Sequence, residues 1–122
     1  MVLIAAFKRV VAESYAKFDG RSGRDEFWWF FLANLIVGVV LSLLGQASTF
    51  FYIIYVIYGL ALIIPSIAVG IRRLHDINRT GWWILIALVP LVGLIVLLVF
   101  YATAGDRGTN QYGPEPIPLA AA

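Results

Sequence analysis

The sequence predicts an all-α membrane protein in which three transmembrane helices follow one amphipathic interfacial helix. Two features of the composition support this fold class: 61% of the 122 residues are hydrophobic and only 13% are charged. A soluble domain usually carries about 25% charged residues, and a chain this short has too much surface for so few charges to cover. A third feature is the presence of three long apolar segments without charge. We therefore expect one integral membrane domain over 1–122.

An amphipathic helix is predicted over 3–18. Its bulky apolar residues recur on one helical face, and the other face carries Lys8, Arg9, Glu13 and Lys17. A segment with this pattern that is too short to cross a bilayer is expected to lie in the headgroup region. The alternative is that its apolar face packs on the ends of the protein's own helices.

Transmembrane helices are predicted over 27–44, 50–71 and 82–101. Each segment approaches the ~20 apolar residues that a bilayer core requires, and none contains a charged side chain. The residues from 102 to 122 are predicted to form an irregular tail, because glycine and proline are frequent there.

The third predicted span has a second interpretation. Pro90 and Gly93 fall near its middle, where they could mark a re-entrant hairpin that returns the tail to the side it came from. A single crossing kinked at Pro90 is preferred, because the segment is long enough for only one full crossing at ~1.5 Å per residue.

Basic residues are distributed unevenly among the loops. Of the nine Lys and Arg residues, five precede the first predicted span, three lie between the second and third, one lies in the tail, and none lies in the loop at 45–49. The positive-inside rule then places the N-terminus and the loop at 72–81 in the cytoplasm and the tail outside. The protein is thus expected in a bacterial cytoplasmic membrane as a multi-pass protein.

Several kinds of chemistry are excluded or disfavoured by residue counts. The chain has no cysteine and a single histidine, His75, which excludes disulfides, thiolate nucleophiles and a multi-histidine zinc site. The net charge of +2 is too small to indicate nucleic-acid binding. The spans lack ionisable residues, which disfavours ion-coupled transport. We expect no cofactor, no metal and no enzymatic activity.

Arginines gather in the two segments predicted to face the cytoplasm. Guanidinium groups match phosphate in bidentate geometry and would lie beside an anionic leaflet, so these arginines are candidates for binding lipid headgroups, a soluble anion or an acidic partner: Arg21, Arg24, Arg72, Arg73 and Arg79. The favoured interpretation is that they set topology and form ion pairs, as Arg72 or Arg73 would with Glu26.

A candidate polar network comprises Glu26, His75 and Asp76. Because His75 and Asp76 are adjacent, their side chains do not face one another on a helix. Catalysis on lipid headgroups would require all three residues to converge on one pocket. We expect instead that they bind backbone groups or the arginines.

Within the spans, a few residues stand out from the apolar background. Asn34 is predicted to form a hydrogen bond between helices, with a pore-lining role as the alternative, and Ser66 with Gly70 forms a small-xxx-small pair that permits close helix approach. Pro65 is expected to kink the second span and to leave one carbonyl without its helical donor.

Three stretches together resemble a known family: FDGRSGRDEFWW at 18–29, RRLHD at 72–76 followed by RTGWW at 79–83, and NQYGP at 110–114. The chain resembles the bacterial inner-membrane proteins grouped as domain of unknown function 805. The resemblance implies a small multi-span protein with an arginine-rich cytoplasmic face, and it implies no activity. The tail motif belongs to the same pattern, and a contact between it and the loop at 72–81 would require the re-entrant alternative.

The predicted function is non-enzymatic association. The amphipathic helix and the arginine-rich face are expected to engage anionic lipid, other membrane proteins or a second copy of the chain. The alternative is a subunit of an oligomeric channel or transport component, with a pathway lined by Asn34, Ser42 or the tyrosines.

Overall fold

The computed structural model describes residues 1–119, and this part of the chain is helical with short connections. Helix α1 is Val2–Lys8 and continues as a π-helical turn over Arg9–Glu13. The remaining elements are α2 (Arg24–Ala47), α3 (Thr49–Ala61), α4 (Ile63–Asp76), a 3₁₀ helix (Gly81–Leu88) and α5 (Val92–Ala102). Residues 103–118 contain only turns and extended chain.

Two long apolar helical stretches are able to cross a membrane. The first is α2, with 24 residues, and the second is α3 with α4, which together cover the 28 residues from Thr49 to Asp76. At ~1.5 Å per residue, both exceed a hydrocarbon core of ~30 Å. The first two predicted spans lie within these stretches. The stretches meet in a tight turn, where a Cβ on Gly45 would lie 3.1 Å from the Cα of Tyr52.

The second stretch is interrupted at Leu62, between α3 and α4. Proline has no N–H, so Pro65 cannot donate to the carbonyl four residues earlier, that of Ala61. The hydroxyl of Tyr15 donates to this carbonyl instead, at 2.5 Å. The carbonyl freed by Pro65 is therefore satisfied by a residue that follows α1.

Helix α1 packs against the long helices of the same chain. Ala6 and Val10 are fully buried, and the ring centroid of Phe7 lies 6.0 Å from that of Phe30 on α2. The helical path ends at Glu13, because Ser14 leaves helical backbone geometry (φ −139°, ψ 35°). The helix predicted over 3–18 is thus shorter than expected, and its inner face contacts protein.

The third predicted span is not one helix. The 3₁₀ helix and α5 run side by side and are joined by a turn at Pro90 and Leu91, in which Val92 N–H donates to the Pro90 carbonyl at 2.7 Å. Leu91 adopts a positive φ of 64° at the tip. A Cβ on Gly93 would lie 1.8 Å from the Ile86 carbonyl oxygen. The two arms can therefore approach this closely only because residue 93 is glycine.

The length of each arm corrects the prediction of a single crossing over 82–101. Eight residues of 3₁₀ helix rise ~16 Å at ~2 Å per residue, and the 11 residues of α5 rise about 17 Å at ~1.5 Å per residue. Each arm reaches about half of a ~30 Å core. The prediction of one helix over 82–101 is wrong because it assumed that each leg of a hairpin must match the full bilayer, whereas each arm here is about half that long.

Candidate functional site

All charged residues of the chain fall outside 27–71 and 80–105. The hairpin brings the tail back to the loop that precedes it, where Asp106 N–H donates to the Asp76 carbonyl at 2.8 Å. We call this end of the molecule the charged face, and it comprises residues 19–26, 72–79 and 101–117. The tail, predicted to lie on the opposite side from the loop at 72–81, is instead part of the same site.

Arg21 joins three segments of the charged face. Its side chain is fully buried, and its Nε donates to Asp76 Oδ1 at 3.0 Å. Its terminal nitrogens donate to the carbonyls of Gly108 at 2.5 Å and Gly113 at 3.2 Å, and also to that of Asp106. The guanidinium therefore holds the tail in place with donors that would otherwise be free for an anion.

Arg73 has a similar role at the end of the hairpin. Its side chain is fully buried, and Nη1 lies 2.8 Å from Asp76 Oδ2. Its other nitrogens donate to the Tyr101 carbonyl at 3.0 Å and to the Thr103 carbonyl. The last carbonyls of a helix lack intrahelical donors and carry partial negative charge. Arg73 thus caps α5 and attaches it to α4.

Asp76 lies between these two cations and accepts from both. It is 3% exposed, a position in which an unpaired carboxylate would be strongly disfavoured. A Cβ on Gly105 would lie 2.0 Å from Asp76 Oδ2, so the tail can pass over the carboxylate only with glycine at that position.

Glu26 forms a second ionic group with Arg72 and Arg9. Arg72 Nη1 lies 2.9 Å from Glu26 Oε1, and Arg9 Nη1 lies 3.7 Å from Glu26 Oε2. The pair Glu26 and Arg72 is one of those suggested by the sequence. Within residues 1–119, the remaining nitrogens of Arg72 and the hydroxyl of Ser22 are buried without a hydrogen-bond partner. This is the least satisfied part of the charged face.

His75 lies apart from both ionic groups. Its Nδ1 is 2.9 Å from the Gly20 carbonyl, and because a carbonyl only accepts, Nδ1 carries the proton. The ring stacks on Tyr112 with centroids 4.0 Å apart. It borders a surface opening of about 590 Å³ that neither Glu26 nor Asp76 lines. The three candidate network residues therefore do not converge on one pocket.

The two remaining candidate arginines are exposed. Arg24 Nη1 donates to the Ala102 carbonyl at 3.3 Å. The guanidinium carbon of Arg79 lies 4.3 Å from the Phe100 ring centroid and 5.3 Å from that of Trp83, which is cation–π geometry. Of the five candidates, Arg21, Arg72 and Arg73 are thus engaged inside the protein, whereas Arg24 and Arg79 are accessible.

Three contacts of the charged face were missed by sequence reasoning. Arg9 donates to the Ile117 carbonyl at 2.6 Å, Asp25 accepts from Leu119 N–H at 2.8 Å, and the Trp28 indole donates to the Tyr101 carbonyl at 3.1 Å. Two of them hold the tail, so only a correct placement of the tail would have revealed them.

A groove of about 830 Å³ lies at the other end of the molecule, between α2 and the stretch formed by α3 and α4. Its polar and glycine lining includes Asn34, Gly38, Ser42, Tyr55, Gly59 and Ser66. The Tyr58 hydroxyl donates to Asn34 Oδ1 at 2.7 Å, which joins the two stretches by a hydrogen bond. Among the described residues, none that lines the groove is charged.

Two long apolar helices, a short hairpin and charges confined to one end together define a small helical membrane protein. Comparison with known families assigns it more narrowly: the chain belongs to the family described as "Protein of unknown function (DUF805)", whose model matches residues 15–114. The match covers the charged face up to Pro114 and begins after α1.

Three relatives from Escherichia coli (strain K12) have substantial similarity. "Inner membrane protein YhaI" is 42% identical over 110 residues, which cover 87% of this chain and 91% of that protein. "Inner membrane protein YhaH" is 40% identical over 111 residues, covering 87% and 92%. "Uncharacterized protein YiiR" is 30% identical over 130 residues, covering 80% and 84%. No solved structure matches the chain significantly.

Proposed function

We propose that this protein is a non-enzymatic component of the bacterial cytoplasmic membrane that acts by association through its charged face. It crosses the bilayer twice, through α2 and through α3 with α4, and the hairpin dips into the cytoplasmic half. The observation that carries association is the set of basic side chains that remain exposed at this end of the molecule. The attachment of the tail by the buried Arg21 and Arg73 supports the topology.

The orientation follows from this attachment of the tail. Once the tail joins the loop, all nine basic residues lie at one end, and the loop at 45–49 has none. The positive-inside rule then favours a cytoplasmic position for the charged face and with it for both ends of the chain. The names of YhaI and YhaH as inner membrane proteins support the compartment.

Anionic lipid is the partner best suited to the accessible part of this face. Five basic side chains are exposed: Arg24, Arg79 and Arg107 on the charged face, and Lys8 and Lys17 in the segment that precedes it. Basic residues beside a cytoplasmic leaflet each gain about 1 kcal/mol from its negative surface potential. A membrane-protein partner with an acidic surface would use the same side chains.

The non-enzymatic character is supported by how the ionisable groups are used. Glu26 and Asp76 are each neutralised by arginines, and the His75 proton is donated to a backbone carbonyl. A general acid or base needs a group free to exchange a proton with a substrate. The two carboxylates are committed to ion pairs, and His75, whose Nδ1 is engaged by the Gly20 carbonyl, lies apart from both.

A channel or transport subunit is the second candidate function. One observation favours it: Asn34, Ser42 and Tyr55 line the same groove. Several copies placed around these side chains would surround a weakly polar pathway. Conductance of the purified protein in planar bilayers would support this candidate, and its absence at all voltages would remove it.

Cysteine accessibility in intact cells tests the proposed topology. Ala47→Cys, Thr80→Cys and Thr109→Cys each place one thiol in a chain that has none, at exposed positions. We expect a membrane-impermeant thiol reagent to label only Ala47→Cys in intact cells and all three variants after permeabilisation. Labelling of Thr109→Cys in intact cells would place the tail outside and overturn the proposal.

A further inference from the structure

Two glycines on the groove have no use within the chain itself. Among the eleven glycines, Gly38 and Gly59 are the two that combine an unstrained φ with open space, since a Cβ on either would meet nothing within 4 Å. Glycine in the interior of a helix is destabilising relative to alanine. Both glycines line the groove, where a glycine surface allows another backbone to approach closely.

Asn34 adds a polar group that is incompletely used. Its Oδ1 accepts from Tyr58, and no hydrogen bond from its Nδ2 is present within residues 1–119. Asn34 lies ten residues after Arg24, which begins α2, so it is about 15 Å along the helix at ~1.5 Å per residue. That depth is the middle of a ~30 Å hydrocarbon core, where an unpaired N–H is costly and no water replaces the missing acceptor.

The groove is unfilled because the other elements stop short of it. Its lining residues come from α2, α3 and the first part of α4, and neither α1 nor the hairpin contributes one. Each hairpin arm is about half as long as a ~30 Å bilayer core is thick, and Tyr15, in the segment after α1, contacts the Ala61 carbonyl. Among residues 1–119, the groove is therefore bordered only by α2 and by the stretch formed by α3 and α4.

The free N–H group of the Asn34 side chain indicates which kind of molecule occupies the groove. An acyl chain would fill the apolar walls but offers no acceptor to Asn34 Nδ2. A second copy of this chain offers one, because an amide carries both a donor and an acceptor and is complementary to itself. Two copies in one membrane share their orientation, so a two-fold axis along the bilayer normal brings identical residues of α2 to the same depth.

We infer that this groove is a dimerisation site that seats α2 of a second copy in parallel orientation. Asn34 then faces Asn34 of the partner subunit, and Gly38 allows the two backbones to approach. No charge lines the groove, so no like-charge repulsion opposes the contact. The inference goes beyond the proposed function, since it adds to the charged face a second association surface within the membrane and names its partner.

Disulfide cross-linking in native membranes tests the inference. Ser42→Cys is nearly isosteric and places a thiol on the groove, whereas Val40→Cys places one on α2 at a similar depth but outside the groove. A disulfide requires Cα atoms within about 7 Å. Under a mild oxidant we expect at least ten-fold more cross-linked dimer for Ser42→Cys than for Val40→Cys.

A second variant tests the role of the amide. Asn34→Val in the Ser42→Cys background should reduce the cross-linked fraction several-fold, while surface labelling at Ala47→Cys stays unchanged and reports an intact fold. Equal cross-linking at the two positions, cross-linking at neither, or capture of a different membrane protein by Ser42→Cys would each overturn the dimer. A cross-link that persists when Thr109→Cys labels from outside would instead reject only the proposed topology.

Discussion

The charged face and the groove lie on the same pair of long helices, but they differ in whether their polar groups have partners within the chain. In the charged face, Arg21 and Arg73 have no exposed side-chain surface and make contacts to Asp76 and to tail carbonyls. In the groove, Gly38 and Gly59 meet nothing, and Asn34 keeps free donors. One end is completed by the chain's own tail, whereas the other is left for a partner.

Polar residues of these two regions differ in their value as indicators of binding. A buried arginine among carbonyls is a structural element, and removing its carboxylate leaves a charge without compensation. A polar side chain at membrane depth without a protein partner is the more informative signal, because the bilayer offers it nothing. The exposure of a side chain and its hydrogen-bond partners therefore identify a binding residue better than its charge does.

The largest effect should come from Asp76→Asn, which removes the carboxylate shared by the two buried arginines of the charged face. The substitution leaves Arg21 and Arg73 buried together without their shared counter-ion, and loss of one partner of a buried ion pair costs about 3–5 kcal/mol. We expect the free energy of unfolding, measured by detergent titration, to fall by this amount and the tail to become sensitive to protease. Arg107→Ala, at an exposed site, should change it by less than ~0.5 kcal/mol.

Alanine substitutions of two glycines give the next largest contrast. Gly93→Ala drives a Cβ into the Ile86 carbonyl and should destabilise the protein by roughly 1–3 kcal/mol through overpacking. Gly38→Ala meets open space and should leave monomer stability unchanged or raise it by about 0.4–1 kcal/mol. The measurement is the free energy of unfolding, with the protein diluted in detergent so that it is monomeric. Equal losses for both variants would mean that the groove is closed in the monomer.

The exposed cations should show a smaller effect that depends on lipid. Arg24→Gln combined with Arg79→Gln removes two accessible charges, each worth about 1 kcal/mol near an anionic surface. We expect phosphatidylglycerol to stabilise the natural protein more than phosphatidylcholine does, and the double variant to lose much of this difference. High salt should reduce it too. Unchanged lipid dependence would count against anionic lipid as the partner of this face.

The sequence was sufficient for the two long helices, for the ion pair of Glu26 with Arg72 and for the hydrogen bond that Asn34 forms between helices. The sequence was not sufficient to predict the hairpin, because the hydropathy and length of residues 82–101 fit one full crossing and two half-length arms equally well. The partner of Gly70 illustrates the limit: a Cβ there would lie 3.0 Å from the Tyr101 hydroxyl, a contact that exists only if the chain turns back. The buried arginines were unpredictable for the same reason, since their acceptors are carbonyls of the returning tail.

The smallest predicted effect tests the boundary between the two regions, where Tyr15 reaches the carbonyl left free by Pro65. Tyr15→Phe removes one hydrogen bond and should cost about 1 kcal/mol of unfolding free energy. Pro65→Ala restores an N–H that donates to the Ala61 carbonyl within the helix, so Tyr15→Phe should cost less in that background. A double-mutant cycle of the four proteins measures this coupling directly. Additive effects would show that the hydroxyl stabilises the protein through another contact, and α1 would then be held to the long helices by its apolar face alone.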